Sequence, residues 1–243
     1  MIGRGPSLTE QVTAHLKARI GAGDFEAGRI PSETDLAADL GVSRSTVRDA
    51  LSRLEHEGAI YRRQGSGTFV NPQGLQVRSR LEEIWSYQQM LRDHGYTPAV
   101  RVLGMRTETA NGDDAAALGV EEQAPMLVME KVFLEDADPA VLTINRIPRH
   151  SVGHEPGPDD AALPIFEFLE QHTGRPLAYY LSDLVPTALT AEEARLLAVA
   201  AGTPALRFDE VGYDAEGAAL LRSVSLFRDD LIRFRIMRRR IPV

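Results

Sequence analysis

Residues 29–70 read RIPSETDLAADLGVSRSTVRDALSRLEHEGAIYRRQGSGTFV, and this stretch predicts two short helices followed by a β-hairpin. Ser32 can cap the first helix, Asp35 stands at its third helical position, and Gly41 ends it. Ser43 can cap the second helix. The apolar residues of the second helix recur at i, i+3, i+4 and i+7: Val47, Ala50, Leu51 and Leu54. Two capped helices joined by a glycine-containing turn predict a helix-turn-helix.

A hairpin next to these helices makes DNA binding the better interpretation of the exposed arginines. Residues 60–62 and 68–70 are short apolar-polar runs, and the glycine-rich segment 64–67 between them can reverse the chain. An arginine on one amphipathic helix is usually solvated surface. In a winged helix, however, the start of the second helix faces base edges, and the wing reaches phosphates or the minor groove.

The run from residue 30 to residue 70 resembles the winged-helix domain of the GntR family of bacterial transcription regulators. The resemblance rests on PSE, GVSR-TVR-AL--L---G and RRQG-GTFV at the family's spacings. It implies a DNA-binding site at the helix starts and the wing. Thr34 stands where the family often has arginine. The predicted DNA-binding residues are Ser32, Thr34, Ser43, Arg44, Thr46, Arg48, Arg63, Gln64 and Gly65.

The composition predicts a small domain plus a medium one within 243 residues. No apolar run approaches the roughly 18 residues of a membrane span, and the first residues lack the apolar core of a secretory signal. We therefore expect a cytoplasmic protein with no membrane partner. The absence of cysteine excludes disulfides, thiolate nucleophiles and zinc sites of the cysteine type.

The net charge of −8 lies entirely outside the predicted DNA-binding domain. Residues 1–77 contain nine basic and nine acidic residues, which leaves 18 basic and 26 acidic residues for the remainder. Because this DNA-binding domain, called the head below, has zero net charge, we expect it to bind DNA with modest affinity. Useful binding would then need a homodimer, whose two heads would read a palindrome with half-sites about one helical turn apart.

The remainder of the chain predicts an α+β fold with a mostly antiparallel sheet. Ser7 and Glu10 form a capping box for a first supporting helix, and Asn71-Pro72-Gln73-Gly74 is typical of a linker. Helices are predicted at residues 81–94, 165–172 and 190–199, and strands at 100–105, 126–134, 140–147, 178–185, 206–213, 219–227 and 233–241. The predicted domains are 1–71, a linker at 72–80, and 81–243.

The second part resembles the effector-binding UTRA domain of the HutC subfamily of GntR regulators, which is related in fold to chorismate lyase. MEKVFLEDADPAVLTINRIP, PIFEFLEQHTG, LTAEEARLLAVAAGTPALRFDEVGYDAEG and SVSLFRDDLIRF carry this resemblance, in the family's order. It spans roughly residues 78–240. The resemblance implies one small-molecule site in this domain, and it implies no other cofactor.

Departures from the family pattern predict an effector of low charge. Relatives that sense sugar phosphates commonly have an Arg-x-Arg pair where this chain has Lys131 and Phe133. They also have glutamates where this chain has Thr143 and Leu221. This chain has Pro164-Ile165-Phe166 where the family usually has Ser-Leu-Tyr. Its segment 227–230 stands where the family usually has Tyr-Arg-Gly-Asp. An anion would lose charged partners worth about 1.5–3 kcal/mol each. The predicted effector-binding residues are Lys131, Phe133, Thr143, Phe166, Leu221, Ser225, Phe227 and Arg228.

The sequence thus predicts a homodimeric, effector-responsive DNA-binding repressor. An effector-free DNA binder is the first alternative, because Phe133, Phe166 and Leu221 could simply fill the core. A lyase on the related fold is the second, but no motif places a nucleophile beside a base. His150, His154 and Glu155 lie in a Gly/Pro-rich loop, so we expect no metal site. The arginines of residues 233–240 predict a solvated or dimer-facing edge rather than a second DNA site.

Overall fold

The computed structural model describes residues 7–76, 81, 83–157, 159–228, 230–232, 234 and 236–238. Contacts divide the chain into two compact units, and the second of them spans Leu81–Phe234. The residues before Leu81 belong to the first unit. Within the described ranges, no helix is long and apolar enough to cross a membrane.

In its described residues, the first unit contains three α-helices and a three-stranded antiparallel sheet in the order β1-β3-β2. Its elements are α1 (Leu8–Ala22), β1 (Arg29–Ile30), α2 (Glu33–Leu40), α3 (Arg44–His56), β2 (Ile60–Arg63) and β3 (Gly67–Val70). The helix-turn-helix and the wing hairpin were predicted at these positions, with the wing strands within one residue of their observed bounds. The winged helix is therefore confirmed.

Local capping and one apolar cluster hold the first unit together. Ser7 and Glu10 form the predicted capping box at the start of α1. The apolar faces of the three helices meet in a single core that includes Val12, Leu16, Ile20, Leu36, Val47, Ala50, Leu51, Leu54 and Ile60. Full burial of each large aliphatic side chain contributes about 1.5–3 kcal/mol. This core fixes the orientation of α3 relative to the hairpin.

The chain remains attached to the first unit after the wing ends. The backbone N–H of Asn71 donates to the Ala59 carbonyl at 2.8 Å, and the Asn71 side-chain amide donates to the Gly58 carbonyl at 2.9 Å. Gly74 approaches so closely that a Cβ there would lie 1.9 Å from the Gly58 oxygen. Only glycine can occupy that position without moving the backbone. The first residues of the predicted linker therefore lie against the winged helix.

The second unit is built on a six-stranded antiparallel sheet in the order β4-β5-β6-β9-β8-β7. The strands are β4 (Pro98–Thr109), β5 (Pro125–Glu135), β6 (Asp138–Pro148), β7 (Tyr179–Ala188), β8 (Pro204–Tyr213) and β9 (Ala219–Arg228). The helices are α4 (Tyr87–Asp93), α5 (Gly112–Leu118), α6 (Ile165–Thr173) and α7 (Ala191–Leu196). The predicted α+β class with an antiparallel sheet is confirmed.

Helix bounds in the second unit differ from the prediction at three places. The helix predicted at residues 81–94 begins only at Tyr87, because the Ser86 hydroxyl caps it by accepting the Gln89 N–H at 3.1 Å. Trp85 precedes this helix, and its ring stacks on Phe234 with centroids 6.0 Å apart. The helix predicted through residue 199 ends at Leu196, and α5 was not predicted. The strand predicted at 233–241, with most of its arginines, falls largely on residues outside the described part.

One face of the large sheet carries a polar band between two apolar clusters. Pairing across the sheet places Lys131, Thr143 and Ser225 in one row, and Asn145, Ser223 and Glu210 in the next. The apolar cluster on one side includes Met90, Phe133, Val141 and Phe227, and the cluster on the other includes Leu127, Ile147, Phe168 and Leu221. Residues of α4 and α6 belong to these clusters and therefore cover this face.

Candidate DNA interface and ligand pocket

The start of α3 presents polar side chains on a rigid support. Ser43 caps the helix by accepting the Thr46 N–H at 3.1 Å, and its hydroxyl lies 2.8 Å from those of Ser45 and Thr46. Arg44 and Arg48 are exposed on the side opposite the buried apolar residues. Of the nine predicted DNA-binding residues, Thr46 is half-buried and the other eight are exposed. Their contacts with DNA stay a prediction.

The wing is a tight hairpin with an arginine next to its tip. Arg63 pairs with Gly67, and Gly65 at the tip has φ of +72°, a conformation that favours glycine. The Arg63 guanidinium lies 6.0 Å from the centroid of the Phe69 ring. No carboxylate within the described ranges pairs with Arg44 or Arg63. Both cations are therefore available to phosphates.

Glu33 links the second and third helices to the wing, and the sequence analysis did not select it. Its carboxylate lies 3.2 Å from Arg48 Nε and 4.0 Å from a terminal nitrogen of Arg62. Arg62 also pairs with Glu55 at 3.1 Å. One carboxylate thus partly neutralises an arginine of α3 and an arginine of the wing. The only sequence signal was the position of Glu33 in the PSE motif.

A cavity lies over the polar band of the large sheet. Four of the eight predicted effector-binding residues line it: Lys131, Phe133, Thr143 and Phe166. The others that line it are Ile84, Trp85, Ser86, Tyr87, Gln88, Asn145, Pro164, Ile165, Tyr180, Glu210 and Ser223. The cavity therefore has an aromatic rim and a polar floor.

The other four predicted residues do not line this cavity. Leu221 and Phe227 are fully buried in the two apolar clusters. Ser225 lies on the polar band, but its hydroxyl is 2.7 Å from the Tyr87 hydroxyl, and Tyr87 separates it from the cavity. Arg228 pairs with Asp230 and donates to the Pro139 carbonyl at 3.0 Å. Alternation along β9 places Arg228 on the opposite face from Phe227.

The floor of the cavity contains a buried cation beside an unsatisfied hydroxyl. Lys131 is 2% exposed, and its Nζ donates to the Leu163 carbonyl at 2.5 Å. Burial lowers the pKa of Lys131 to about 8, because the charged form loses hydration. Thr143 is the cross-strand neighbour of Lys131, and its buried hydroxyl has no hydrogen-bond partner among the described residues. Both groups retain capacity to bind a ligand.

The opposite side of the cavity contains a carboxylate. Glu210 accepts a hydrogen bond from the Ser182 hydroxyl at 2.5 Å, and burial raises the pKa of Glu210. Burial also raises the pKa of Tyr180, with a further contribution from the Glu210 charge. Sequence analysis missed Glu210, Tyr180, Asn145 and Ser223. The pairing of Glu210 with Ser223 in the β8-β9 hairpin was the signal that could have found two of them.

The histidine-containing loop forms no metal site in the described ranges. Glu155 pairs with Arg149, and the His154 ring lies 4.5 Å from the buried His172 ring. No group of three or more residues of metal-ligating type comes together among the described residues.

A winged helix-turn-helix in one unit and a polar cavity in the other define a class, the DNA-binding regulators with a ligand-binding domain. The signature of the bacterial regulatory proteins, gntR family, matches residues 8–70, and that of the UTRA domain matches residues 93–233. The chain belongs to the GntR family, in its HutC-type subfamily. Regulators of this kind bind operator DNA and small-molecule effectors.

Named relatives support this assignment over most of their length. The chain is 29% identical over 225 residues to the HTH-type transcriptional repressor NagR of Bacillus subtilis (strain 168), which covers 92% of this chain and 91% of NagR. It is 31% identical over 219 residues to the Histidine utilization repressor of Pseudomonas putida, with 84% and 82% covered. The family and these relatives are transcriptional regulators, so the predicted non-enzymatic function is confirmed and the lyase alternative is wrong.

Solved structures show the same fold. The possible transcriptional regulator YydK from Bacillus subtilis has a TM-score of 0.71 at 18% identity, covering 95% of this chain and 99% of its own. PhnF from Mycobacterium smegmatis has a TM-score of 0.59 at 26% identity, covering 94% and 100%. The arrangement of a winged helix followed by a large antiparallel sheet is therefore shared with GntR regulators. The family match makes the chain a DNA-binding transcriptional regulator with a UTRA domain.

Proposed function

We propose that this chain acts as a homodimeric repressor on a palindromic operator, and that a small effector of low net charge in the cavity weakens its DNA binding. The observation that carries the proposal is the cavity itself, which holds Lys131 and Glu210 on opposite sides and an unsatisfied Thr143 hydroxyl between. Buried polar groups without partners are costly unless a ligand satisfies them. Opposite charges in one cavity favour a ligand of low net charge. No other cofactor is part of the proposal.

The second unit offers a surface for dimerisation at one edge of its sheet. β7 is the last strand in the sheet order, and its side chains Leu181, Leu184 and Val185 are exposed to 68%, 42% and 41%. Apolar edge strands are surfaces that another chain can cover. The exposed apolar side chains of this edge support the proposed homodimer, in which a second copy would cover them. Because its ligand is chromosomal DNA, the proposed place of action is the cytoplasm.

Effector and operator are coupled through the arrangement of the two heads. In one arrangement of the dimer the two DNA-binding domains cannot reach both half-sites. An effector that binds this arrangement more tightly weakens operator binding by the difference between its affinities for the two arrangements. Linkage requires the operator to weaken effector binding by the same factor. A coupling of about 1–3 kcal/mol changes operator affinity roughly 5- to 150-fold.

The test is a fluorescence-anisotropy titration of the full chain against the DNA that flanks its own gene, with and without metabolites of neighbouring pathways. Light scattering on the same samples gives the oligomeric state. We expect dimeric protein, preference for a palindrome over scrambled DNA, and weakening by one metabolite. Palindrome-specific binding that no metabolite alters would support the effector-free alternative. Monomeric protein with no sequence preference would refute the proposal.

A further inference from the structure

Glu210 is a half-buried carboxylate without a cationic partner. Within the described part of the chain, its hydrogen-bond partner is the Ser182 hydroxyl, and no arginine, lysine or histidine nitrogen lies within salt-bridge distance. Asp114 in the same unit, by contrast, pairs with Arg146 at 2.8 Å. A carboxylate has about four acceptor positions, so Glu210 retains most of its capacity. The described part of the cavity therefore has no positive charge next to Glu210.

Lys131 does not supply that charge. Its ammonium donates to the Leu163 carbonyl. The strand order places β5 three strands from β8, which is about 14 Å at the usual spacing. Lys131 and Glu210 thus face different ends of the same cavity.

Aromatic rings surround the Glu210 end of the cavity. Trp85, Tyr87 and Tyr180 line the cavity together with Glu210. A wider cleft shares these four residues and adds Tyr179, Phe208 and Ser182. Aromatic faces attract cations through the ring quadrupole by about 0.5–1 kcal/mol when exposed and about 2 kcal/mol when desolvated. An aromatic wall beside an unpaired carboxylate is the environment that binds organic ammonium groups.

We propose that the effector carries a protonated amine, which Glu210 binds as counter-ion while the rings of Trp85 and Tyr180 pack on its carbon atoms. This inference rests on the proposed effector role of the cavity and names the ligand class. An amine supplies the missing charge, and its hydrogen-bond donors match the free acceptor positions of Glu210. A neutral hydroxyl in its place would leave the carboxylate without a counter-ion.

The test uses Trp85, the single tryptophan of the chain, as a fluorescent reporter inside the cavity. The probes are methylamine, n-butylamine and 2-phenylethylamine, each compared at neutral pH with the alcohol of the same carbon skeleton. We expect the amines to change the fluorescence of Trp85 with at least about tenfold tighter binding than the alcohols, a difference of about 1.4 kcal/mol. Equal or tighter binding of the alcohols would overturn the proposal, as would no response to any amine.

Three variants assign the preference to Glu210. Glu210→Gln can still accept the Ser182 hydrogen bond but has no charge, so it should bind amines and alcohols alike. Glu210→Asp keeps the charge and should retain a preference for amines. The matched control Glu216→Gln removes the same charge from an exposed turn and should behave as wild type. A preference that survives in Glu210→Gln would overturn the assignment.

Two accompanying measurements keep the outcomes distinct. Thermal melting of each variant shows whether it is folded, and Glu210→Asp provides a second variant if Glu210→Gln is not. Operator binding is measured separately by anisotropy without any small molecule. Operator binding without a response to amines would reject only the ligand class. If the wild-type chain shows no preference for the operator over scrambled DNA, the proposed function itself is rejected.

Discussion

Replacing Glu33 by glutamine should strengthen DNA binding. In the free protein the Glu33 carboxylate lies 3.2 Å from Arg48 Nε and 4.0 Å from Arg62, so it occupies two arginines that phosphates would otherwise contact. DNA must displace this carboxylate to use Arg48. Glu33→Gln keeps the size of the side chain and removes the competing charge.

Solvent exposure sets the magnitude of this effect. The Arg48 side chain is 56% exposed and that of Glu33 is 24% exposed, so the pair is largely screened by water. Exposed ion pairs contribute about 0.2–1 kcal/mol. Relief of the Arg48 pair therefore predicts about 1.5- to 5-fold tighter binding, and the longer Arg62 contact adds less. The gain should be similar on operator and on scrambled DNA, because phosphates carry no sequence information.

The assay is an anisotropy titration of both DNAs at several salt concentrations, with Asp49→Asn as the control. Asp49 is exposed on α3, and no described arginine pairs with it, so this variant changes net charge without releasing an arginine. A gain in Glu33→Gln no larger than in Asp49→Asn would refute the displacement argument. Weaker operator binding with unchanged binding to scrambled DNA would instead show that Glu33 positions Arg48 for a base contact.

Three further predictions concern the DNA interface and the floor of the cavity. Arg44→Ala should reduce discrimination at particular operator bases by about 1–3 kcal/mol if its contact is bidentate, and equal weakening on all sequences in the same titration would contradict a base contact. Thr143→Val should raise the free energy of unfolding by about 1 kcal/mol in denaturant titrations, because it removes a buried hydroxyl without a partner. Lys131 has a pKa of about 8 when folded and about 10.5 ordinarily, so the unfolded chain binds its proton more tightly and stability should rise as the pH increases from about 8 to 10.5. Denaturant titrations across that range should show this rise in wild type but not in Lys131→Met, and parallel curves would contradict it.

Short-range signals were sufficient for the winged helix. Ser43, Gly41 and Gly65 act through their own conformations and through hydrogen bonds only three residues away. Apolar residues at helical spacing then determine which side of α3 is buried. The exposed side of α3 was therefore predicted from the sequence, although the pairing of Arg48 with Glu33 was not. That pairing joins positions 15 residues apart in sequence.

At the start of the second unit, apolar residues at helical spacing did not predict where the helix begins. Leu81, Ile84 and Trp85 have helical spacing, yet the helix starts at Tyr87. Trp85 is held instead by ring contacts with Tyr87 and Phe234. Contacts with residues near the end of the unit outweighed the local pattern.

The sequence alone determined the fold class, the two-part organisation and the exposed side of α3, because capping, alternation and turn residues act over a few positions. Tertiary structure decided the composition of the cavity. Strand order brings Glu210 and Ser223 onto the same face as Lys131, and the Tyr87 ring closes off Ser225. Leu221 and Phe227 share that face but are buried under the covering helices. Strand pairing between distant segments fixes these neighbours, and no local pattern encodes it.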